Sequence, residues 1–191
     1  MIFLIKHRWW ASLVVAAVLA LLAWALGGYD QVLSDRLTLG AQIALGVGGA
    51  LLALLINLLL HETFKRTIGP GYIAAFEAYG RDILDDMSWP DYAAGGLLAA
   101  VGEEPLFRGV VLRAFEAPAL GIFIAALLFA LCHWIRRRHF GFWLWAMWEG
   151  VLLGILLVAT GSLLVVIIAH GLHDVAAYIA FDRIVSRKSN G

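Results

Sequence analysis

The chain has 191 residues, 62% of them hydrophobic and 15% charged, and a mean hydropathy of +0.86. Ordinary soluble domains are about 45–50% apolar and about 25% charged, so composition excludes one of those and indicates a polytopic membrane protein. The 14 basic and 14 acidic residues cancel, which leaves no global basic character for nucleic acid. A single cysteine, Cys132, excludes an internal disulfide framework and a CxxC metal site; it reads as a small core residue.

After the basic start at Lys6, His7 and Arg8, residues Trp9 to Leu26 form an unbroken apolar run. The run is longer than a usual signal-peptide core and lacks a sharp cleavage signal, so it is read as a retained helix. Leu39 to Leu60 is long enough to cross the hydrocarbon core. Its Gly40, Gly46, Gly48 and Gly49 suit close helix approach in lipid. His61 to Tyr92 is the most polar stretch and reads as an interfacial segment, interrupted at Gly69-Pro70-Gly71. Further spans are expected at Ala93 to Phe115, Pro118 to Ile135, Phe142 to Ala159 and Leu163 to Phe181. The expectation is an all-α, polytopic integral membrane bundle of about six transmembrane helices plus the interfacial segment. It forms one membrane domain over 1–191, with the reactive helices at about 93–181.

Placing the N-terminus in the cytoplasm puts eleven basic residues inside, Arg36 and Arg113 outside, and Arg108 within the bilayer. The positive-inside rule then predicts cytoplasmic termini at both ends.

Ionisable residues inside membrane helices are costly and mark functional positions. Glu103, Glu104, Pro105 and Arg108 lie together in the third span. Glu104 and Arg108 are four apart and share a helix face, in the favoured acidic-first order. Glu103 is rotated by about 100° from Glu104, which leaves it free for proton transfer while Arg108 holds Glu104 ionised. Pro105 has no N–H and leaves the carbonyl of Val101 without its helical donor.

His133 lies on the fourth span, Glu149 on the fifth, and His170, His173 and Asp174 on the sixth. His170 and Asp174 face one way, so the carboxylate can orient the imidazole. Glu149 is either interfacial, among its tryptophans, or lines the same cavity as His173. Each feature has a plainer reading: a Glu–Arg pair also locks helices together, and a membrane histidine also bonds neighbouring helices. Their arrival on separate helices of one small bundle points to a shared site.

The motifs Glu103-Glu104-Pro105-Leu106-Phe107-Arg108-Gly109, Phe129-Ala130-Leu131-Cys132-His133 and His170-Gly171-Leu172-His173-Asp174 resemble, in order and placement, those of the CAAX-protease and bacteriocin-processing family of glutamic intramembrane proteases. The resemblance implies that Glu103 and His133 activate a water for attack on a peptide carbonyl, without cofactor or metal. It further implies that Glu104 and Arg108 support the site, and that His170 and residue 174 stabilise the oxyanion. The implied partner is a membrane-anchored protein or peptide: family members process prenylated CAAX tails, bacteriocin leaders or sorting tails, and so short a chain favours an exported peptide or a C-terminal sorting signal over prenylated proteins. The same shortness, with little beyond the core helices, points to a bacterial inner membrane. Asp174 departs from the family's usual asparagine, and an ionised carboxylate cannot donate to an oxyanion; it is either protonated or only orients His170. Two rivals stand beside this reading. One is a metal-dependent membrane protease, although the chain has no HExxH pair. The other is a carrier or immunity protein with an intramembrane Glu/Arg/His relay.

Overall fold

The computed structural model describes residues 9–84, 87–133, 137 and 140–189, with side chains described over 13–78, 87–133, 137 and 140–181. Lys6, Arg8, Asp85, Asp86, Arg136 and Arg138 therefore lie outside the described residues, as do the side chains of Arg81, Asp82, Arg183, Arg187 and Lys188.

Among the described residues the architecture is all-helical. Helix α1 spans Trp9–Ala25, α2 Leu39–Thr67, α3 Pro70–Leu84, α4 Trp89–Glu104, α5 Pro118–His133, α6 Phe140–Thr160 and α7 Leu163–Ser189. Helix α4 runs directly into a π-helical stretch, Pro105–Val111, and a 3₁₀ turn, Leu112–Ala114. Helices α2, α6 and α7 have the length and hydropathy to cross a bilayer, and α1 and α5 supply shorter apolar helices. The fold is a helical membrane bundle. The outward faces of α1 and α2 present Leu21, Trp24, Leu51 and Leu58, side chains that water would reject and lipid accepts.

Helix α7 is the central element: α2 and α4 pack along it, α5 pairs with α6, and α1 lies against α4. Gly46 and Gly49 of α2 lie close to Ile168, Leu156 and Ala169, whereas Gly40 and Gly48 face open space. Only half of the expected glycine set therefore serves helix contact. Helix α2 also continues seven residues past the expected Leu60. It stops at Gly69, whose φ of 74° is a conformation glycine adopts without penalty, and Pro70 opens α3 where its missing N–H costs nothing.

The interfacial segment is a folded part of the bundle rather than a loose surface helix. Tyr72 of α3 is 5% exposed. Its hydroxyl accepts from Trp145 Nε1–H at 3.1 Å and lies 3.1 Å from His61 Nδ1. Burial pushes the Tyr72 phenol up to about 12. Phe76 of α3 meets Phe181 of α7, their ring centroids 5.0 Å apart. Helix α3 thus closes one end of the bundle against α6 and α7. Cys132, expected in the core, is exposed instead; it lies on the outward face of α5, where hydrophobicity serves lipid contact.

Candidate active site

Pro105 breaks the α-helical hydrogen-bond ladder beside the two carboxylates, and the chain answers with π-helical winding from that residue onward. Such single-turn bulges recur at functional sites. The Val101 carbonyl, deprived of its helical donor by Pro105, accepts instead from the Tyr29 hydroxyl at 2.8 Å. Tyr29 belongs to the α1–α2 connection, and burial pushes its phenol above the ordinary value.

Glu104 and Arg108 are fully buried. Arg108 Nη1 donates to Glu104 Oε1 at 2.9 Å, Nη2 donates to the Gly150 carbonyl of α6 at 3.2 Å, and the guanidinium carbon lies 4.6 Å from the centre of the Phe129 ring of α5. A Cβ at Gly150 would stand 2.9 Å from the backbone of Ala126, so only glycine lets the α6 carbonyl approach this closely. Glu104 Oε1 also receives His170 Nδ1 of α7 at 2.7 Å. One ion pair across the junction of α4 and its π-helical continuation therefore ties α5, α6 and α7 together.

His170 Nε2 faces Asp174 Oδ2 at 3.3 Å. Both ring nitrogens thus meet carboxylate oxygens, and a singly protonated ring would satisfy only one. Asp174 also meets His173 Nδ1 at 3.1 Å and accepts from the Tyr178 hydroxyl at 3.3 Å. His173 Nδ1 lies 2.6 Å from Glu149 Oε1. Glu149 and His173 are accordingly members of one network with Asp174, and the tryptophans around Glu149 do not carry it to an interface.

His133 Nδ1 donates to the Phe129 carbonyl at 2.8 Å, which leaves Nε2 as the ring's acceptor. The Phe129 ring stands between the two motif histidines, 4.5 Å from His133 and 5.8 Å from His170. His133, Glu149, His170, His173 and Asp174 line one cavity of about 240 Å³, together with Asn57, His61, Tyr178 and an apolar wall that includes Leu54, Leu58, Phe76, Phe142 and Phe181. Its lining comes from the late turns of α2 and α5, the middle turns of α7, the early turns of α6, and α3. The cavity therefore occupies the half of the bundle that α3 closes.

Glu103 lies outside that lining. Its Oε2 is buried with no hydrogen-bond partner among the described residues, and the ionisable groups near enough to act on it are His133, His170, Asp174 and Glu104. The sequence had placed Glu103 on the cavity with the two histidines. The π-helical winding and the docking of His170 on Glu104 put the second glutamate in the centre and the first beside it. Among the described residues, Glu149, His170 and Asp174 also each place one donor atom within 4.8 Å of the others.

Two contributors escaped the sequence reading. Tyr29 lies in a loop, and no local pattern links it to residue 101. Asn57 was detectable as one of two amides, with Gln42, in an otherwise apolar span, since such residues bond neighbouring helices.

No curated protein and no solved structure matched the chain. Residues 85–176 match the family model described as Type II CAAX prenyl endopeptidase Rce1-like. That segment contains all three motifs, the Glu104–Arg108 ion pair and His133, His170 and His173 of the cavity. Over this segment the chain is similar to the Rce1-like family of CAAX-type proteases, the family its motifs resemble.

Proposed function

We propose that the protein is an intramembrane endopeptidase of glutamic type, hydrolysing a peptide bond of a membrane-anchored protein or peptide. One observation carries this reading. Glu103 holds a buried, unpartnered carboxylate oxygen beside His133 and His170, two histidines from different helices that line a common cavity.

A carboxylate in a low-dielectric setting is a competent general base. Glu103 and His133 Nε2 together take the proton of an attacking water, and His133 is held in the required tautomer by the Phe129 carbonyl. Glu104 and Arg108 fix His170. Its Nε2–H, only loosely held by Asp174 at 3.3 Å, turns to the developing oxyanion. Fixed donors of this kind contribute most where water is scarce. Asp174 accepts from His170, His173 and Tyr178, so its role is to orient His170 rather than to donate.

The cavity lies in the α3 half of the bundle, with Lys65 and Arg66 at the near end of α2. This supports cytoplasmic termini and substrate access from the inner leaflet of a bacterial inner membrane. The substrate in this reading is an exported peptide or a protein carrying a C-terminal sorting signal.

The test is Glu103→Gln in cells. One membrane protein should accumulate uncleaved while the variant keeps the wild-type melting temperature in lipid; unchanged processing would refute the assignment. A second reading rests on the spacing of Glu149, His170 and Asp174 and on Glu104 backing His170, as carboxylates back metal-bound histidines. It predicts chelator-sensitive cleavage and stoichiometric metal in the purified protein, whereas the glutamic reading predicts neither.

A further inference from the structure

His173 has a partner from outside the segment that matches the family. Its Nε2 lies 2.6 Å from Asn57 Nδ2 of α2, and Asn57 Oδ1 accepts from Trp148 Nε1–H of α6 at 2.8 Å. An indole N–H only donates, so it fixes which end of the Asn57 amide is the oxygen. The amide nitrogen must then face His173, and it too only donates. Nε2 of His173 is therefore an acceptor with a lone pair, and the single ring proton resides on Nδ1. That nitrogen donates to Asp174 Oδ1, 3.1 Å away, and lies 2.6 Å from Glu149 Oε1, which accepts no hydrogen bond among the described residues.

We propose that Asn57, oriented by Trp148, is a positioning residue that keeps His173 a neutral Nδ1–H donor between the carboxylates of Glu149 and Asp174. The opposite amide orientation would face two N–H groups against each other at Trp148 and leave a buried donor unpaired, which is costly. The charged groups that bear directly on this ring are Glu149 from α6 and Asp174 from α7. Helix α2 contributes only the neutral amide there, and α4 presents its glutamates to His170 and His133 rather than to His173. The consequence for the cavity is that this ring carries one proton, held toward Asp174 beside the Glu149 carboxylate, with no second proton available from it.

The protein labelled with ¹⁵N-histidine, in lipid and without substrate, provides the test, with the His173 signals assigned by loss in His173→Gln. Between pH about 6 and about 8, the wild-type Nε2 resonance is expected in the unprotonated range. Asn57→Asp keeps the size and the bond to Trp148 but offers His173 an acceptor, so Nε2 should move to the protonated range. In Trp148→Phe the amide is free to turn, and both forms should be populated. A wild-type ring protonated on both nitrogens, or one indifferent to Asn57→Asp, overturns the proposal. The spectrum is read without catalysis, so this failure and the failure of Glu103→Gln to abolish processing are separate results.

Discussion

Arg108 is fully buried in a lipid-embedded bundle, yet it is not isolated: it reaches Glu104, the Gly150 carbonyl and the Phe129 ring. Buried ion pairs contribute little net stability, because desolvation offsets attraction, but removing one partner leaves an uncompensated charge. Its value here is geometric, since three helices meet on a single planar group. The same reasoning gives Asp174 its role. Three donors converge on its two oxygens, so a carboxylate in this position organises His170 and His173. An amide retains an acceptor oxygen for His170 and matches the family's usual residue. Asp174→Asn is therefore expected to keep most of the cleavage rate, while Asp174→Ala should lose at least about tenfold, roughly 1.4 kcal/mol in the barrier. The two rates on the processed membrane substrate check this, and an Asn variant as inactive as Glu103→Gln would remove Asp174 from the proposed role.

At the level of elements, Pro105 and Tyr29 form one device. The proline orphans the Val101 carbonyl and the tyrosine hydroxyl satisfies it, so the π-helical stretch is stabilised from a loop outside α4. Tyr29→Phe leaves that carbonyl unpaired and should lower stability by about 1–3 kcal/mol. A Pro105→Ala background restores the helical N–H, and the same tyrosine change should cost less there. Unfolding of the four proteins of this cycle in mild detergent measures the coupling; additive losses would separate the two residues.

Helix α3 supplies a second element-scale prediction. The Tyr72 phenol is raised from its ordinary 10.0 to about 12, so folding favours its neutral form. The stability this confers is complete below pH 10, where the unfolded chain also keeps the proton, and is lost as pH rises through about 12. Wild-type melting temperature should fall over that window more steeply than that of Tyr72→Phe, which starts lower for want of the Trp145 bond.

For the whole molecule, the cavity and the α3 closure share one end, and the connection carrying Tyr29, Asp30 and Asp35 lies at the other. The proposed orientation puts α3 on the cytoplasmic side. With Cys132 replaced by serine, a single cysteine at Gly71 should resist a membrane-impermeant thiol reagent in intact cells, and one at Asp35 should react. The reverse pattern would invert the bundle.

Composition and apolar run lengths determined that the chain is a helical membrane bundle, because hydrocarbon admits no unpaired backbone and a spanning helix needs about twenty apolar residues. Helical spacing likewise paired Glu104 with Arg108 and aligned His170 with Asp174, since contacts three and four residues apart are local. The ends of α2 and the burial of α3 were less legible. His61 and Tyr72 look polar in sequence, and their bond to each other and that of Tyr72 to Trp145 join sites far apart in the chain. Tertiary structure alone decided that His170 docks on Glu104 rather than Glu103, that Tyr29 replaces the bond Pro105 removes, and that Asn57 reaches His173. These partners lie 66, 72 and 116 positions apart, and no periodicity carries information over such separations; the packing of α2 and α4 against α7 does.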